Sequence, residues 1–175
     1  MVEVTVARIG LDSASNAYVV FLQEKGGNRL LPIWIGKSEA EAILMEMNDV
    51  RRERPLTHDL CKNLIVGLGG QLRRVQITKV QKSTYFAELH LRRGDAHVQV
   101  DARPSDSIAI ALRLSAPIFA HESLLTAIAA DEEDEEGISL PDASAPREST
   151  EEISAEELKA YLENLRPEDF GKFNL

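Results

Sequence analysis

Val2, Val4 and Val6 alternate with Glu3 and Thr5, the two-residue period of a strand with one buried face. The run Tyr18-Val19-Val20-Phe21-Leu22 predicts a second strand, closed by Gly26-Gly27, and residues 29–35 a third, ended by Gly36. The spacing then becomes helical. A helix is predicted from Ser38, with Glu41 completing a capping box and Ala40, Ile43, Leu44 and Met47 on one face. After the basic loop Arg51-Arg52-Glu53-Arg54, Pro55 introduces a second helix capped by Thr57. It carries Leu60, Cys61, Leu64, Ile65 and Leu68 on one face, and Gly69-Gly70 stops it.

The order then recurs. Residues 75–80, 84–91 and 97–102 read as three strands, 106–114 as a helix, and 121–130 as an amphipathic helix through Leu124, Leu125 and Ile128. The expected fold class is α+β: a duplicated β3α2 unit with pseudo-two-fold symmetry, its mixed barrel-like or sandwiched sheets sharing one core with packed helices. Trp34, between Ile33 and Ile35, is expected to pack, and Cys61 belongs with the core positions of its helix.

Charge divides the chain. Residues 1–130 carry 16 Lys and Arg against 14 Asp and Glu, whereas residues 131–175 carry 4 against 15, so the acidity belongs to the tail. This predicts one domain over 1–130, an acidic, Pro- and Ser-rich linker over 131–153, and a short C-terminal amphipathic helix and tail over 154–175. That last helix would present Leu158, Tyr161, Leu162 and Leu165 to a docking partner. A single cysteine excludes an intramolecular disulfide framework. No run approaches the roughly 20 apolar residues of a membrane helix, and a cytoplasmic protein with no membrane partner is expected.

Two stretches concentrate the chemistry: Arg54-Pro55-Leu56-Thr57-His58-Asp59 and Arg103-Pro104-Ser105-Asp106. Each sets an arginine, a hydroxyl and a carboxylate at a helix start, where guanidinium forks and free backbone N–H groups favour anions. Arg54, Thr57, Arg103 and Ser105 are therefore the phosphate-binding candidates. His58, Asp59, Asp101 and Asp106 are the catalytic candidates, His58 moving a proton. Asp59, Asp101 and Asp106, with Glu39, could hold Mg2+ or Mn2+ through hard oxygen ligands. The same residues also suit helix caps and Arg–Asp clasps. The pairs Arg51-Arg52, Arg73-Arg74 and Arg92-Arg93 are the clearest sign of a polyanion partner, set against a body net charge near zero. No zinc-spaced His/Cys cluster or Gly-rich phosphate loop occurs.

Three segments carry a family likeness: Leu31-Pro32-Ile33-Trp34-Ile35-Gly36 with Glu39-Ala40, then Arg54 to Leu60, then Val100-Asp101-Ala102-Arg103-Pro104-Ser105-Asp106-Ser107-Ile108-Ala109. Together they resemble the bifunctional nuclease family over residues 1 to about 128, in the family's order and spacing. The resemblance implies a duplicated α/β domain that self-associates, a dimer being the first expectation, with DNase and RNase activity. It supplies no agreed catalytic residues. A non-catalytic regulatory or assembly module, binding a protein through the C-terminal helix, is the alternative.

Overall fold

The computed structural model describes residues 1–13 and 15–127. The alternating valines and their partners form an antiparallel meander of β1 (Val2–Asp12), β2 (Ala17–Glu24) and β3 (Arg29–Ile35). A second meander consists of β4 (Gln71–Gln81), β5 (Thr84–Arg93) and β6 (Ala96–Ala102). Between them lies β7 (Ile118–Ala120), antiparallel to β1 and parallel to β4, so β1 and β4 run in opposite directions. With β8 (Thr126–Ala127) beside β3, the result is one eight-stranded mixed sheet in the order β6-β5-β4-β7-β1-β2-β3-β8.

The expected α+β class holds, but its arrangement differs. There is one open sheet, with no second sheet sandwiched against it among the described residues. The sheet nonetheless curls: the Tyr85 hydroxyl on β5 donates to the Pro32 carbonyl on β3 across 3.4 Å. Those strands stand five places apart, and flat strands about 4.8 Å apart would hold them about 24 Å from each other. The second half also lacks the expected last helix. His121 Nδ1 accepts the Ser123 N–H and closes a single 3-10 turn over Glu122–Leu124; Leu125 is then extended, and Thr126–Ala127 pair with the exposed edge at Arg29–Leu30. Residues 128–130, the linker over 131–153 and the C-terminal helix lie outside the described residues.

Inside the curl sits α3 (Pro104–Arg113), whose Pro104, Ser105, Ser107 and every residue from Ile108 to Ala111 are buried. Ile108, Ala109 and Ala111 have no exposure and meet a core that includes Val20, Leu22, Leu31, Val75, Ile77 and Ala87. The helix α1 (Lys37–Met47) buries Ala40, Ala42 and Ile43 against it. The helix α2 (Thr57–Gly67) behaves differently and buries no residue fully. Cys61 and Ile65 pack on the core, but Leu60, Leu64 and Leu68 are 53, 53 and 67% exposed, so the single apolar face expected for this helix is split. Neighbouring positions differ by about 100° around a helix, which turns Leu60 and Leu64 to water once Cys61 and Ile65 face inward; Leu68 is the cap residue after the last turn. Trp34 is likewise 54% exposed: Ile33 takes the inward place, and strand alternation leaves the indole outside, where its Nε1 donates to Asp12 Oδ2 at 3.2 Å.

Gly69-Gly70 end α2 as expected. Gly69 adopts φ +74°, its N–H bonding Val66 O at 2.9 Å while Gly70 N–H bonds Ile65 O at 2.8 Å, a Schellman closure. The helix starts are capped differently from the sequence-based expectation. Neither Ser38 nor Thr57 caps its helix; the helices begin after Gly36 and Leu56, and the Asp59 carboxylate accepts the Leu56 N–H at 2.9 Å.

Arg113, at the end of α3, ties the helices together. Its side chain is 3% exposed. Nε donates to Asp59 Oδ1 on α2 at 2.7 Å, and Nη1 donates to the carbonyls of Ala42 on α1 at 3.1 Å and Ala109 at 3.0 Å. Removing the buried guanidinium leaves the Asp59 carboxylate without its ion-pair partner. Arg113→Ala is therefore expected to destabilise the protein by about 3 kcal/mol, the range for breaking a buried ion pair. Arg113→Met, which refills the volume without the charge, should behave similarly, because Asp59 still loses its partner. Chemical denaturation followed by circular dichroism measures both.

Candidate functional site

Three helix starts are linked by side chains. Glu39, His58 and Asp106 each lie in the first turn of α1, α2 or α3, and Arg103 immediately precedes α3. Arg103 Nη1 meets Glu39 Oε1 at 2.9 Å, while its Nε and Nη2 reach the two oxygens of Asp106 at 2.8 and 3.2 Å. Asp106 Oδ1 also lies 3.1 Å from His58 Nε2. The result is a continuous chain Glu39–Arg103–Asp106–His58. Gly36 contributes by absence: a Cβ there would collide with the Glu39 carboxylate folded back over the helix start.

Exposure grades across the chain of contacts. The Arg103 side chain is 66% exposed, Asp106 29%, Glu39 20% and His58 14%, so the guanidinium faces water and the imidazole is recessed. Burial pushes the Asp106 carboxyl upward, but hydrogen bonds from Arg103 and His58 outweigh it and hold the group below its ordinary value. Asp59 is also held low, the Arg113 guanidinium and the Leu56 N–H overcoming burial. Two carboxylates thus face one guanidinium. An Asp106-bound Nε2–H leaves His58 Nδ1 as the free acceptor, which has no partner among the described residues.

The remaining candidates are dispersed. Asp59 joins Arg113 at a cleft formed by the end of α1, the following loop and α2, where Arg52 and Lys62 also stand. Arg54 and Thr57 are exposed and make no side-chain contact with the cluster. Ser105 is 7% exposed, inside the packing of α3. Asp101 lies on β6 opposite Glu88, away from the cluster's hydrogen bonds. Among the described residues no group of three or more His, Cys, Asp or Glu is arranged to hold a metal ion. Of the expected ligand set, Asp59 and Asp106 pair with Arg113 and Arg103, Glu39 also meets Arg103, and Asp101 stands apart on β6.

The sequence reading missed Arg113. An arginine in a last helical turn reads as a complement to the helix dipole, and its carboxylate partner lies 54 residues away.

Comparison with known proteins bears on the site. The model of the Bifunctional nuclease domain matches residues 20–133, which includes all four linked side chains. An uncharacterized protein of Mycobacterium tuberculosis is 41% identical over 172 residues, covering 97% of this chain and 98% of its own. Bifunctional nuclease 1 of Arabidopsis thaliana is 34% identical over 116 residues, 65% of this chain and 36% of the plant protein. Bifunctional nuclease 2 of Oryza sativa subsp. japonica is 33% identical over the same length, again spanning 36% of its own chain.

A carboxylate held below its ordinary value stabilises the fold above that value and stops doing so as pH falls through the lowered one. Stability should therefore drop as pH falls below about 4. Asp106→Asn should flatten part of that decline while lowering stability at neutral pH. Unfolding midpoints measured across a pH series test the sign.

Proposed function

Because the chain belongs to the bifunctional nuclease domain family, we propose that it hydrolyses phosphodiester bonds of DNA and RNA with little sequence preference, at the Glu39–Arg103–Asp106–His58 cluster. The observation that carries the reading is the hydrogen bond of His58 to Asp106, which is itself clasped by the exposed Arg103. Asp106 orients the imidazole and stabilises the imidazolium formed when a proton arrives. His58 Nδ1 takes the proton of a water as its oxygen bonds to phosphorus. The P–O bond to the leaving sugar oxygen breaks, and that oxygen takes a proton back from the imidazolium. Arg103 supports the negative charge on the phosphoryl oxygens. Glu39 positions Arg103. No step is routed through a metal ion.

The topology supports a duplicated origin for the two halves. Each meander's third strand leads into a helix whose third residue is acidic, Glu39 in α1 and Asp106 in α3, and both acids converge on Arg103.

Alanine at His58 or Arg103 is expected to lower the rate at least about 100-fold, the scale of a lost general base or transition-state contact. Circular dichroism should remain that of the parent. His58→Ala with undiminished hydrolysis of single-stranded DNA and RNA in the presence of EDTA sinks the assignment. The second reading, a non-catalytic assembly module acting as a dimer or on a protein partner, draws on the exposed Leu60, Leu64 and Leu68. It is favoured if the purified full chain cleaves neither nucleic acid and sediments as a dimer that Leu64→Lys dissociates.

A further inference from the structure

In the proposed hydrolytic cluster the one guanidinium is already engaged by two carboxylates, so attraction for a polyanion has to arise elsewhere. The outer face of the second meander supplies it. Pairing between β4, β5 and β6 sets Arg74 opposite His90 and His90 opposite Gln99, and in the next row Gln71 opposite Arg92 and Arg92 opposite His97. His90 and Arg92 share a face because side chains alternate along a strand, and the intervening Leu91 packs toward the core. The bulge between Leu72 and Arg74 brings Arg73 to the same corner. Arg73 and Arg74 thereby join Arg92, far along the chain, in one basic surface.

That surface is built for an anionic ligand in two respects. Arg73, Arg74, His90, His97 and Gln99 line a cleft with Leu91 and Val98, and none of its lining residues is acidic. Arg74 makes no hydrogen bond or ion pair with any described residue, and Arg92 commits only Nε, to Gly94 O at 2.8 Å. The basic area ends at Glu88, whose carboxylate lies 3.3 Å from His90 Nε2.

We propose that the β4–β5–β6 corner is a binding track for the phosphate backbone of single-stranded nucleic acid, separate from the hydrolytic cluster. Arg74 and Arg92 are its principal phosphate contacts. The proposal takes its partner class from the nuclease reading but does not need the cluster to catalyse.

The test is fluorescence anisotropy of the full-length protein with a labelled, hydrolysis-resistant phosphorothioate oligodeoxynucleotide across a salt series. Replacing both arginines by glutamine should reduce the slope of log affinity against log salt by about 1.4, the effect of two lost single-strand phosphate contacts. Reversal of both to glutamate should weaken binding further. Lys25→Gln, in the turn after β2, should leave the slope unchanged. An unaltered slope in the double glutamine variant overturns the proposal, as does an equal change in Lys25→Gln. Polyaspartate that competes as well as DNA at equal charge also overturns it, assigning the corner to acidic protein segments. On ordinary DNA the double glutamine variant should show a raised KM with kcat maintained. Intact binding without any hydrolysis keeps the track and rejects the nuclease reading; loss of hydrolysis alone leaves the slopes as the deciding measurement.

Discussion

A guanidinium that is 97% removed from solvent has to find its acceptors within the fold, and the position of those acceptors then constrains everything around it. For Arg113 they come from three helices: a carboxylate on α2, a backbone carbonyl on α1 and another on α3 itself. Apolar packing between helices tolerates small slides and rotations, whereas charge-assisted hydrogen bonds of 2.7 to 3.1 Å do not. Arg113 thereby converts a helical layer of largely small side chains into a fixed frame. The opposite end of α3 opens that frame to water at Arg103, where the candidate chemistry sits.

The two arginine-bearing regions differ in how far their charge is compensated. At Arg103 positive charge is matched and exceeded by Glu39 and Asp106, which suits orienting an imidazole more than capturing a polyanion. At the sheet corner the arginines keep most of their donors open. Long-range attraction scales with uncompensated charge, while proton transfer depends on geometry within hydrogen-bond reach. Keeping the two apart lets each be met without degrading the other.

Local periodicity made most of the scaffold legible. The six long strands, three helices and the Gly69-Gly70 stop all follow from alternation, helical spacing and chain punctuation. Legibility failed where the decision was made at a distance. Residues 121–127 have a helical apolar pattern, yet the unpaired edge of β3 recruits Thr126–Ala127 as a strand. Trp34 reads as core by composition, but the inward places belong to its neighbours. At the site, His58, Arg103, Asp106 and Glu39 were all nameable from their helix starts. Which of the candidates would meet was not, because Asp59 is drawn off by an arginine 54 positions later in the chain.

His58 and Asp59 are adjacent, yet one bonds the first turn of α3 and the other its last residue. Those anchor points, Asp106 and Arg113, are separated by about 10 Å of helix rise. A helix held at one point can roll about its own axis; held at two, its azimuth is set. Rolling α2 to shelter Leu60 and Leu64 would pull His58 from Asp106 and Asp59 from Arg113. The water-facing leucines are thus a local frustration, in which hydrophobic burial yields to the placement of an imidazole.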